Sequence, residues 1–379
     1  MTTGTTTMWG HFNPVKITAG VGSLDRVASI ATARGRWLLV TSAGFTRRGV
    51  TARVRSMLEA NGSRVLAVHD AITANPELDD LESISASFEH DPLVGIIGLG
   101  GGSVLDAAKV LAATIPHSSD RLLHRTLREG RIHRWQRTLS LVAIPTTSGT
   151  GSEVTPFATV WDSVTQKKYS VAGERIFPDE CILDPALTIS LPRDETLYTG
   201  LDATSHALES LWNRNRTPVS EALAIGALER IADALPRVLH DLGNCELRDR
   251  MQQASLMAGM AISHTRTAIA HSISYPLTLR FGVPHGLACS FTLDAILRRH
   301  MQALGTTGDL RRLFELISKM LGALGLPAHL SRYASEADVR GLIPEMTTPG
   351  RADNFPYPHD LAQILRESFD HSCIHVDYH

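Results

Sequence analysis

Short apolar runs alternate with helical patterns along the first half of the chain. Strands are predicted at residues 36–41, 64–68, 95–99 and 139–144, with helices over 54–58, 78–88 and 104–113. Such alternation is typical of parallel strands joined by crossover helices, which cover both faces of the sheet. The first half is therefore predicted to be an α/β domain built on a parallel sheet.

From about Pro192 onward the apolar positions recur at helical spacing instead. Helices are predicted over residues 199–212, 220–239, 247–270, 310–321 and 359–368, and residues 333–358 are predicted to be a long connection. We place a domain boundary at the Leu191–Pro192 step. It divides a nucleotide-binding α/β domain, residues 1–191, from an all-helical metal-binding domain, residues 192–379. A cleft between two such domains is a usual place for a small-molecule site.

Composition narrows the classes of protein that fit. The chain has 379 residues, a formal net charge of −2, and no basic excess that would attract nucleic acid or a membrane surface. The first residues lack the pattern of a signal peptide, and no apolar run reaches the ~20 residues of a membrane helix. Four cysteines are scattered without a Cys-x-x-Cys pair, as expected of reduced thiols. A cytoplasmic protein is predicted.

A glycine-rich turn follows the third predicted strand and opens the next helix. Gly100, Gly101, Gly102 and Ser103 stand there. Glycine lets backbone N–H groups approach an anion closely, and a helix N-terminus adds partial positive charge, so a pyrophosphate would fit. The spacing is not that of the Gly-x-Gly-x-x-Gly fingerprint, and a tight structural turn is the alternative.

A second loop follows the buried strand at residues 139–144. It is rich in hydroxyl groups and glycine, reading PTTSGTGSE from Pro145. Such a loop can donate many hydrogen bonds to phosphate or ribose oxygens, although it could also be a solvated loop. Its place after a strand favours a ligand, since ligands of open parallel sheets collect beyond the carboxyl ends of the strands.

One carboxylate and three histidines form a candidate metal set. Asp202 and His206 are spaced by about one turn of a predicted helix, so their side chains share a face. His271 follows on a predicted helix, and His285 lies at a bend beside Pro284. Singly, each is more often a hydrogen-bonded core residue. Together they make an N/O ligand set that suits Fe²⁺ or Zn²⁺ and not Ca²⁺ or Mg²⁺.

Four motifs together resemble the iron-containing (group III) alcohol dehydrogenases over roughly residues 10 to 330. They read GGGSVLDAAK, PTTSGTGSEVT, GLDATSHALES and HSISYPLTLRFGVPHG. The resemblance implies a dehydroquinate synthase-like fold, oxidation or reduction of a small alcohol or aldehyde with NADH or NADPH, and commonly a homodimer. The metal ligands it implies are Asp202, His206, His271 and His285. The cofactor residues it implies are Gly100, Gly101, Gly102, Ser103, Asp106, Thr146, Thr147, Ser148 and Thr150.

Two departures from the family pattern bear on the cofactor and on the proton relay. Many members carry an aspartate at the end of the strand equivalent to LLVTS, where it would bind the ribose of NAD, and Ser42 stands there instead. With Arg47 and Arg48 just beyond, use of NADPH or of both cofactors is predicted, unless these arginines are only solvated. Many members also carry a relay histidine where this chain has Tyr275. An unperturbed tyrosine side chain has a pKa of ~10, so tyrosine relays protons less well than histidine at neutral pH.

A narrower resemblance concerns the substrate. The segments RTAIAHSISYP and TPGRADN look like those of the phosphonoacetaldehyde reductases, and a phosphonate needs cationic partners. We expect substrate contacts from Arg266, Phe157, Lys168 and Arg351. Alternatively, Lys167 and Lys168 lie in a solvated turn and Arg266 forms an ion pair on a helix surface. Another small carbonyl substrate, dehydroquinate synthase chemistry and a catalytically silent nucleotide-binding protein remain as alternative functions.

Overall fold

The computed structural model describes residues 8–31, 34–137, 139–305, 307–347 and 350–370. Six parallel strands form the main sheet, in the order β1-β8-β5-β4-β2-β3, and β6 and β7 form a separate antiparallel hairpin. The strands are β1 (Lys16–Ala19), β2 (Arg36–Thr41), β3 (Arg64–His69), β4 (Leu93–Gly100), β5 (Ser140–Pro145), β6 (Phe157–Asp162), β7 (Lys167–Ala172) and β8 (Glu180–Leu183).

Helices cover the sheet and make up the second half of the chain. They are α1 (Val27–Ile30), α2 (Ala43–Arg47), α3 (Val50–Ala60), α4 (Leu78–Ser87), α5 (Gly102–Thr114), α6 (Arg193–Leu211), α7 (Pro218–His240), α8 (Cys245–Thr265), α9 (Ile269–Phe281), α10 (His285–Ala288), α11 (Leu293–Leu304), α12 (Gly308–Ala323), α13 (Leu326–Leu330), α14 (Glu336–Gly341) and α15 (Leu361–Phe369). The predicted fold class, an α/β half followed by a helical half, is confirmed.

The central strands could be predicted from the sequence because helices cover both faces of the sheet there. In β2 and β4 nearly every residue is buried, which gives continuous apolar runs rather than alternation. Strands β1 and β8 were missed because each has only four residues. The β6–β7 hairpin was missed too. Its exposed turn and adjacent lysines look like a solvated loop, yet Lys168 is half-buried in β7 while Lys167 is exposed.

The helical half packs around α6, α7 and α8, which contact one another along much of their length. Thr217 and Asn244 cap the first turns of α7 and α8, with their side-chain oxygens accepting from Ser220 N and Leu247 N. Caps of this kind satisfy backbone N–H groups that have no partner within the helix. The apolar faces of α6, α7 and α8 form one core, which includes Leu201, Leu228 and Ile262.

The prediction of one helix over residues 247–270 was wrong. Helix α8 ends at Thr265, and Arg266 has φ 64° and ψ 171° before α9 begins at Ile269. A non-glycine residue rarely adopts this conformation, because its Cβ is crowded by the neighbouring backbone. The break turns the chain sharply, so that α9 presents His271 to α6 rather than continuing α8.

Residues 333–358 are predicted from the sequence to be a long connection, but short helices interrupt this segment. The segment contains α14 and short 3₁₀ turns at Ile343–Glu345 and Ala352–Asn354. Helix α6 begins at Arg193, directly after the Leu191–Pro192 step, although the division into domains at that step stays a prediction. Among the described residues, no helix has both the length and the apolar character needed to cross a bilayer.

Candidate metal centre and cofactor cleft

One carboxylate on α6 lies at the centre of the candidate metal site. Asp202 is 3% exposed, and its Oδ1 lies 3.6 Å from His206 Nε2, one turn further along the same helix. Burial raises the pKa of Asp202, but the three surrounding imidazoles lower that pKa by more in total, so the net shift is downward and the carboxylate is ionised at neutral pH. The predicted spacing on one helical face is what brings these two side chains together.

Two further imidazoles reach the same carboxylate oxygen from other helices. His271 Nε2 on α9 lies 3.7 Å from Asp202 Oδ1, and His285 Nε2 at the start of α10 lies 3.8 Å from it. Helix α10 approaches α6 closely at Gly286, where a Cβ would lie 1.8 Å from the Tyr198 carbonyl oxygen. Glycine is therefore required there for His285 to reach the site.

Glu209 supports this centre and was missed by the sequence analysis. Its buried carboxylate accepts hydrogen bonds from the backbone N–H groups of Ala268, Ala270 and His271. It thereby caps the first turn of α9 from another helix. The same carboxylate lies 2.7 Å from His271 Nδ1, and this contact fixes the imidazole orientation. Its position three residues after His206, on a buried helical face, was the available signal.

The donor set fits a transition metal. Glu209 engages Nδ1 of His271, while Nε2 of the same ring is buried, has no hydrogen-bond partner among the described residues, and faces Asp202. A buried polar atom without a partner is costly unless something binds it. Desolvation lowers the pKa values of His206 and His285, so both imidazoles are neutral and able to bind a metal. Three imidazoles and a carboxylate suit Fe²⁺ or Zn²⁺.

Cys289 is a neighbour of this set. Asp202, His271, His285 and Cys289 can each place one donor atom within 4.8 Å of the others, a grouping that leaves out His206. The Cys289 thiol donates to Asp202 Oδ1 at 3.5 Å, and burial raises its pKa well above the ordinary value. We retain His206 as the fourth ligand, because a neutral imidazole binds metal directly whereas this thiol is protonated and already donates to the carboxylate.

The two predicted cofactor loops meet at the carboxyl edge of the sheet. Strands β4 and β5 pair in parallel, with Gly100 opposite Pro145, and Thr146 N donates to the Gly100 carbonyl. Cβ atoms at Gly101 and Gly102 would lie 3.3 Å from Thr147 and 2.5 Å from Thr150, so the loops are in close contact. Gly102 opens α5, which directs its N-terminus into this cleft.

The remaining predicted cofactor residues lie around that cleft or beneath it. Ser42 follows β2 and is the N-cap residue of α2, and Ser103 Oγ accepts from Asn75 N. Ser148 belongs to the hydroxyl loop and is buried. Asp106 accepts hydrogen bonds from Thr159 N in β6 and from Ser152 Oγ in the short turn that precedes β6. It fastens the hairpin to α5, and its contact with a cofactor stays a prediction, as do those of the two loops.

Two cationic side chains meet at one aromatic ring beside the metal set. Lys168 Nζ on β7 lies 4.6 Å from the centroid of the Tyr275 ring, and Arg351 Cζ also lies 4.6 Å from it. Tyr275 follows His271 by four residues on α9, about one helical turn, so its ring lies on the side of α9 that carries His271. We call Lys168, Tyr275 and Arg351 the cationic pocket. It joins two residues predicted to bind substrate with the tyrosine at the relay position.

The other two predicted substrate residues are placed differently. Arg266 lies in the break between α8 and α9, with an exposed side chain. Burial is the main cause that lowers the pKa of Arg351, and the charge of Arg266 adds to this lowering. Arg266 therefore lies near the cationic pocket and not on a helix surface. Phe157 begins β6 and is half-buried, and its carbonyl accepts from the buried Lys109 amino group at 2.8 Å. Substrate contact by either residue stays a prediction.

Comparison with known proteins identifies the family. Residues 14–185 match the family model described as iron-containing alcohol dehydrogenase, and residues 196–369 match the model of the C-terminal part of that family. The phosphonoacetaldehyde reductase of Streptomyces viridochromogenes is 34% identical over 364 residues, covering 88% of this chain and 90% of that protein. The sulfoacetaldehyde reductase of Bilophila wadsworthia is 32% identical, covering 74% of this chain and 72% of that protein.

A solved structure agrees with these matches. The iron-containing alcohol dehydrogenase of Thermotoga maritima is 28% identical and superposes with a TM-score of 0.79, covering 96% of this chain and 99% of that one. The chain therefore belongs to the iron-containing alcohol dehydrogenases. It is an oxidoreductase of small aldehydes or alcohols, in a family named for its iron.

Proposed function

We propose that this iron-containing alcohol dehydrogenase reduces phosphonoacetaldehyde to 2-hydroxyethylphosphonate with NADPH or NADH, as a step in phosphonate biosynthesis. The observation that carries the proposal is the cationic pocket, where Lys168 and Arg351 meet at Tyr275 beside Asp202. A neutral aldehyde gives no reason to desolvate two cations next to a metal site. A phosphonate group would compensate both charges, and its oxygens match the donors of an amino group and a guanidinium.

The metal ligands proposed here are Asp202, His206, His271 and His285, whose ionised carboxylate and neutral imidazoles converge on one point. A bound Fe²⁺ or Zn²⁺ would supply a Lewis acid that stabilises negative charge developing on a carbonyl oxygen. The protein contributes a fixed geometry, because Glu209 holds the His271 ring and caps the helix that carries it.

The loops at Gly100–Ser103 and Thr146–Thr150 would bind the dinucleotide by its pyrophosphate, with the N-terminus of α5 adding partial positive charge. The reduced nicotinamide would supply the hydride. Ser42 in place of an aspartate, followed by Arg47 and Arg48, supports acceptance of a 2′-phosphate. Arg48 folds back over the Phe45 ring at 4.3 Å, which keeps its guanidinium beside this end of the sheet.

In the cationic pocket, Lys168 and Arg351 would bind the phosphonate and thereby orient the short aldehyde toward the metal ligands. Fixing one end of a small substrate removes rotational freedom and brings its other end into a reactive geometry. Tyr275 separates the two cations and offers a hydroxyl group near the reacting end. It is a candidate to pass the final proton, alongside water and a ribose hydroxyl.

The test is a substrate panel on protein loaded with Fe²⁺ or Zn²⁺, following NADPH and NADH oxidation by absorbance. Phosphonoacetaldehyde is expected to be preferred over acetaldehyde and succinic semialdehyde. Replacing Arg351 with Ala is expected to raise KM for phosphonoacetaldehyde roughly 10- to 100-fold, the effect of losing a hydrogen bond to a charged group. KM for acetaldehyde should stay nearly constant. Equal turnover of all aldehydes would support a dehydrogenase of small aldehydes but would contradict the proposal that phosphonoacetaldehyde is the preferred substrate.

Sulfoacetaldehyde is a second candidate substrate, because the same two cations would also attract a sulfonate. The 32% identical reductase of Bilophila wadsworthia is named for that substrate. Two cations match the dianionic phosphonate better than the monoanionic sulfonate, and including sulfoacetaldehyde in the panel separates the two. Family membership and the converging ligands disfavour a silent nucleotide-binding protein or dehydroquinate synthase chemistry. The homodimer and the cytoplasmic location remain predictions, testable by sedimentation and by fractionation.

A further inference from the structure

Arg351 lies on a short segment that is held in place from several sides. We call residues 350–357 the strap. Asn354, near its middle, is only 9% exposed, and its Nδ2 donates to the carbonyls of Thr267 at 2.9 Å and Gly350 at 3.3 Å. The Asn354 carbonyl in turn accepts from Arg214 N at 2.9 Å. The strap is therefore attached to the break between α8 and α9 and to the turn after α6.

Thr267, in that break, contacts the strap through both its backbone and its side chain. Its carbonyl accepts from Asn354, and its hydroxyl oxygen accepts from Arg351 Nη1 at 3.0 Å. Thr267 lies four residues before His271, and the adjacent Ala268 N–H donates to Glu209. One short turn thus links the guanidinium of the cationic pocket to the carboxylate that holds a proposed metal ligand.

The far end of the strap is anchored by aromatic packing. Phe355 lies 6.1 Å from the Trp212 ring and 5.4 Å from Tyr357, and Tyr357 lies 5.2 Å from the buried His300. Ring pairs at these separations add stabilisation beyond the area they bury. The strap is consequently a fixed part of the helical core, and Arg351 projects from it at a defined place.

A guanidinium on a free side chain loses rotamer entropy when a ligand immobilises it. Arg351 has already been restrained by Thr267. The hydrogen bond to Thr267 uses Nη1 of Arg351. Within the described part of the chain, the other N–H groups of this guanidinium are left to bind a ligand. We propose that Thr267 and Asn354 are positioning residues that preset Arg351 for the anionic end of the substrate and so determine selectivity for charged over neutral aldehydes. This inference rests on the proposed function and goes beyond it by naming residues that do not touch substrate.

The decisive comparison is Thr267→Val against Thr267→Ser. Valine keeps the shape but removes the hydroxyl oxygen that accepts from Arg351, whereas serine keeps it. Thr267→Val should raise KM for phosphonoacetaldehyde, and the inhibition constant of methylphosphonate against acetaldehyde reduction, roughly tenfold. Thr267→Ser should restore both values to near those of the unmodified protein. Acetaldehyde KM should change by less than about twofold in either variant, because it has no charged end.

Asn354 is tested with a matched control in the other half of the chain. Asn354→Ala removes the donor to Thr267, while Asn61→Ala removes a similar asparagine bond, to the Ala28 carbonyl, far from the cleft. Asn354→Ala should weaken methylphosphonate inhibition by about the same factor as Thr267→Val. Asn61→Ala should leave it unchanged. Thermal melting of each variant establishes that it is folded.

The outcomes separate the two proposals. If phosphonoacetaldehyde is preferred but Thr267→Val and Thr267→Ser behave alike, the positioning role is overturned and the substrate stands. A second outcome is that methylphosphonate inhibits and the two Thr267 variants differ as expected, while another anionic aldehyde is the preferred substrate. The positioning role of Thr267 is then supported, and the assignment of phosphonoacetaldehyde is contradicted. A uniform rise in KM for charged and neutral aldehydes alike would show a merely structural role. Failure of methylphosphonate to inhibit the unmodified protein would overturn the inference directly.

Discussion

The metal centre and the cationic pocket share one cleft but are assembled in different ways. Two of the four proposed metal ligands, Asp202 and His206, lie on one turn of α6, and the other two begin helices packed against it. The cationic pocket takes Lys168 from a hairpin, Tyr275 from α9 and Arg351 from the strap. The first is fixed largely by local helical geometry, whereas the second exists only when distant segments pack. The proposed family chemistry and the proposed substrate selectivity are thus assigned to different kinds of structure.

The largest expected effect comes from removing a proposed metal ligand. His271→Ala should lower kcat about a thousandfold or more, since it removes a donor from a centre that stabilises developing charge by several kcal/mol. Elemental analysis should show bound metal falling to background. His240→Ala, at an exposed position on α7, is the control and should keep both metal and activity. Retention of metal and activity by His271→Ala would remove it from the ligand set.

A smaller loss of metal binding is expected when the ligand His271 is kept and the Glu209 carboxylate that orients it is replaced. In Glu209→Gln an amide group would face the N–H groups of Ala268 and Ala270, and the carboxylate contact with His271 Nδ1 would be lost. Metal affinity, measured by competition with a chelator, should fall roughly 10- to 100-fold. Glu229→Gln, exposed on α7, should leave it unchanged. An unaltered affinity in Glu209→Gln would mean that the α6 and α10 ligands alone position the metal.

The selectivity of the cationic pocket should change with pH between neutral and alkaline values. Burial lowers the pKa of Lys168 to about 8, so its positive charge is present below that pH and is lost as pH rises through it. The kcat/KM for phosphonoacetaldehyde relative to acetaldehyde should therefore fall by about tenfold between neutral and alkaline pH. Lys168→Met should abolish this dependence, and Lys167→Met, at the exposed neighbour, should preserve it. A ratio independent of pH in the unmodified protein would exclude Lys168 from substrate binding.

The same contrast explains what could be predicted from the sequence. The strand-to-helix turn at Gly100 and the i, i+4 pair on α6 leave local signals, and the parallel sheet follows from its buried apolar runs. The hairpin and the strap leave no such signal, because Lys168 is half-buried only through tertiary packing. The predicted helix extended beyond the end of α8 because the apolar spacing continues past Thr265. The break is stabilised from another helix, since Glu209 on α6 accepts hydrogen bonds from the backbone N–H groups at the start of α9.

Arg266 provides the smallest and most discriminating test, because its backbone and its side chain can be separated. Its φ of 64° with ψ of 171° lies in a region that is essentially restricted to glycine and costs other residues about 1–3 kcal/mol. The Arg266 carbonyl accepts from Asn213 Nδ2 at 2.9 Å, which helps to hold the turn. Arg266→Ala removes the guanidinium and keeps the strain, whereas Arg266→Gly removes both.

We therefore expect Arg266→Gly to be more stable than Arg266→Ala by about 1 kcal/mol, after allowing for the greater freedom of glycine in the unfolded chain. Its thermal midpoint should be roughly 2 °C higher. If the guanidinium contacts substrate, both variants should show the same rise in KM for phosphonoacetaldehyde, despite their different stabilities. A rise in Arg266→Gly alone would attribute the effect to loosening of the turn that holds Thr267, since only that variant frees the backbone. Unchanged KM in both would restrict substrate recognition to Lys168 and Arg351, and the strain at Arg266 would then serve only to turn α9 toward the metal centre.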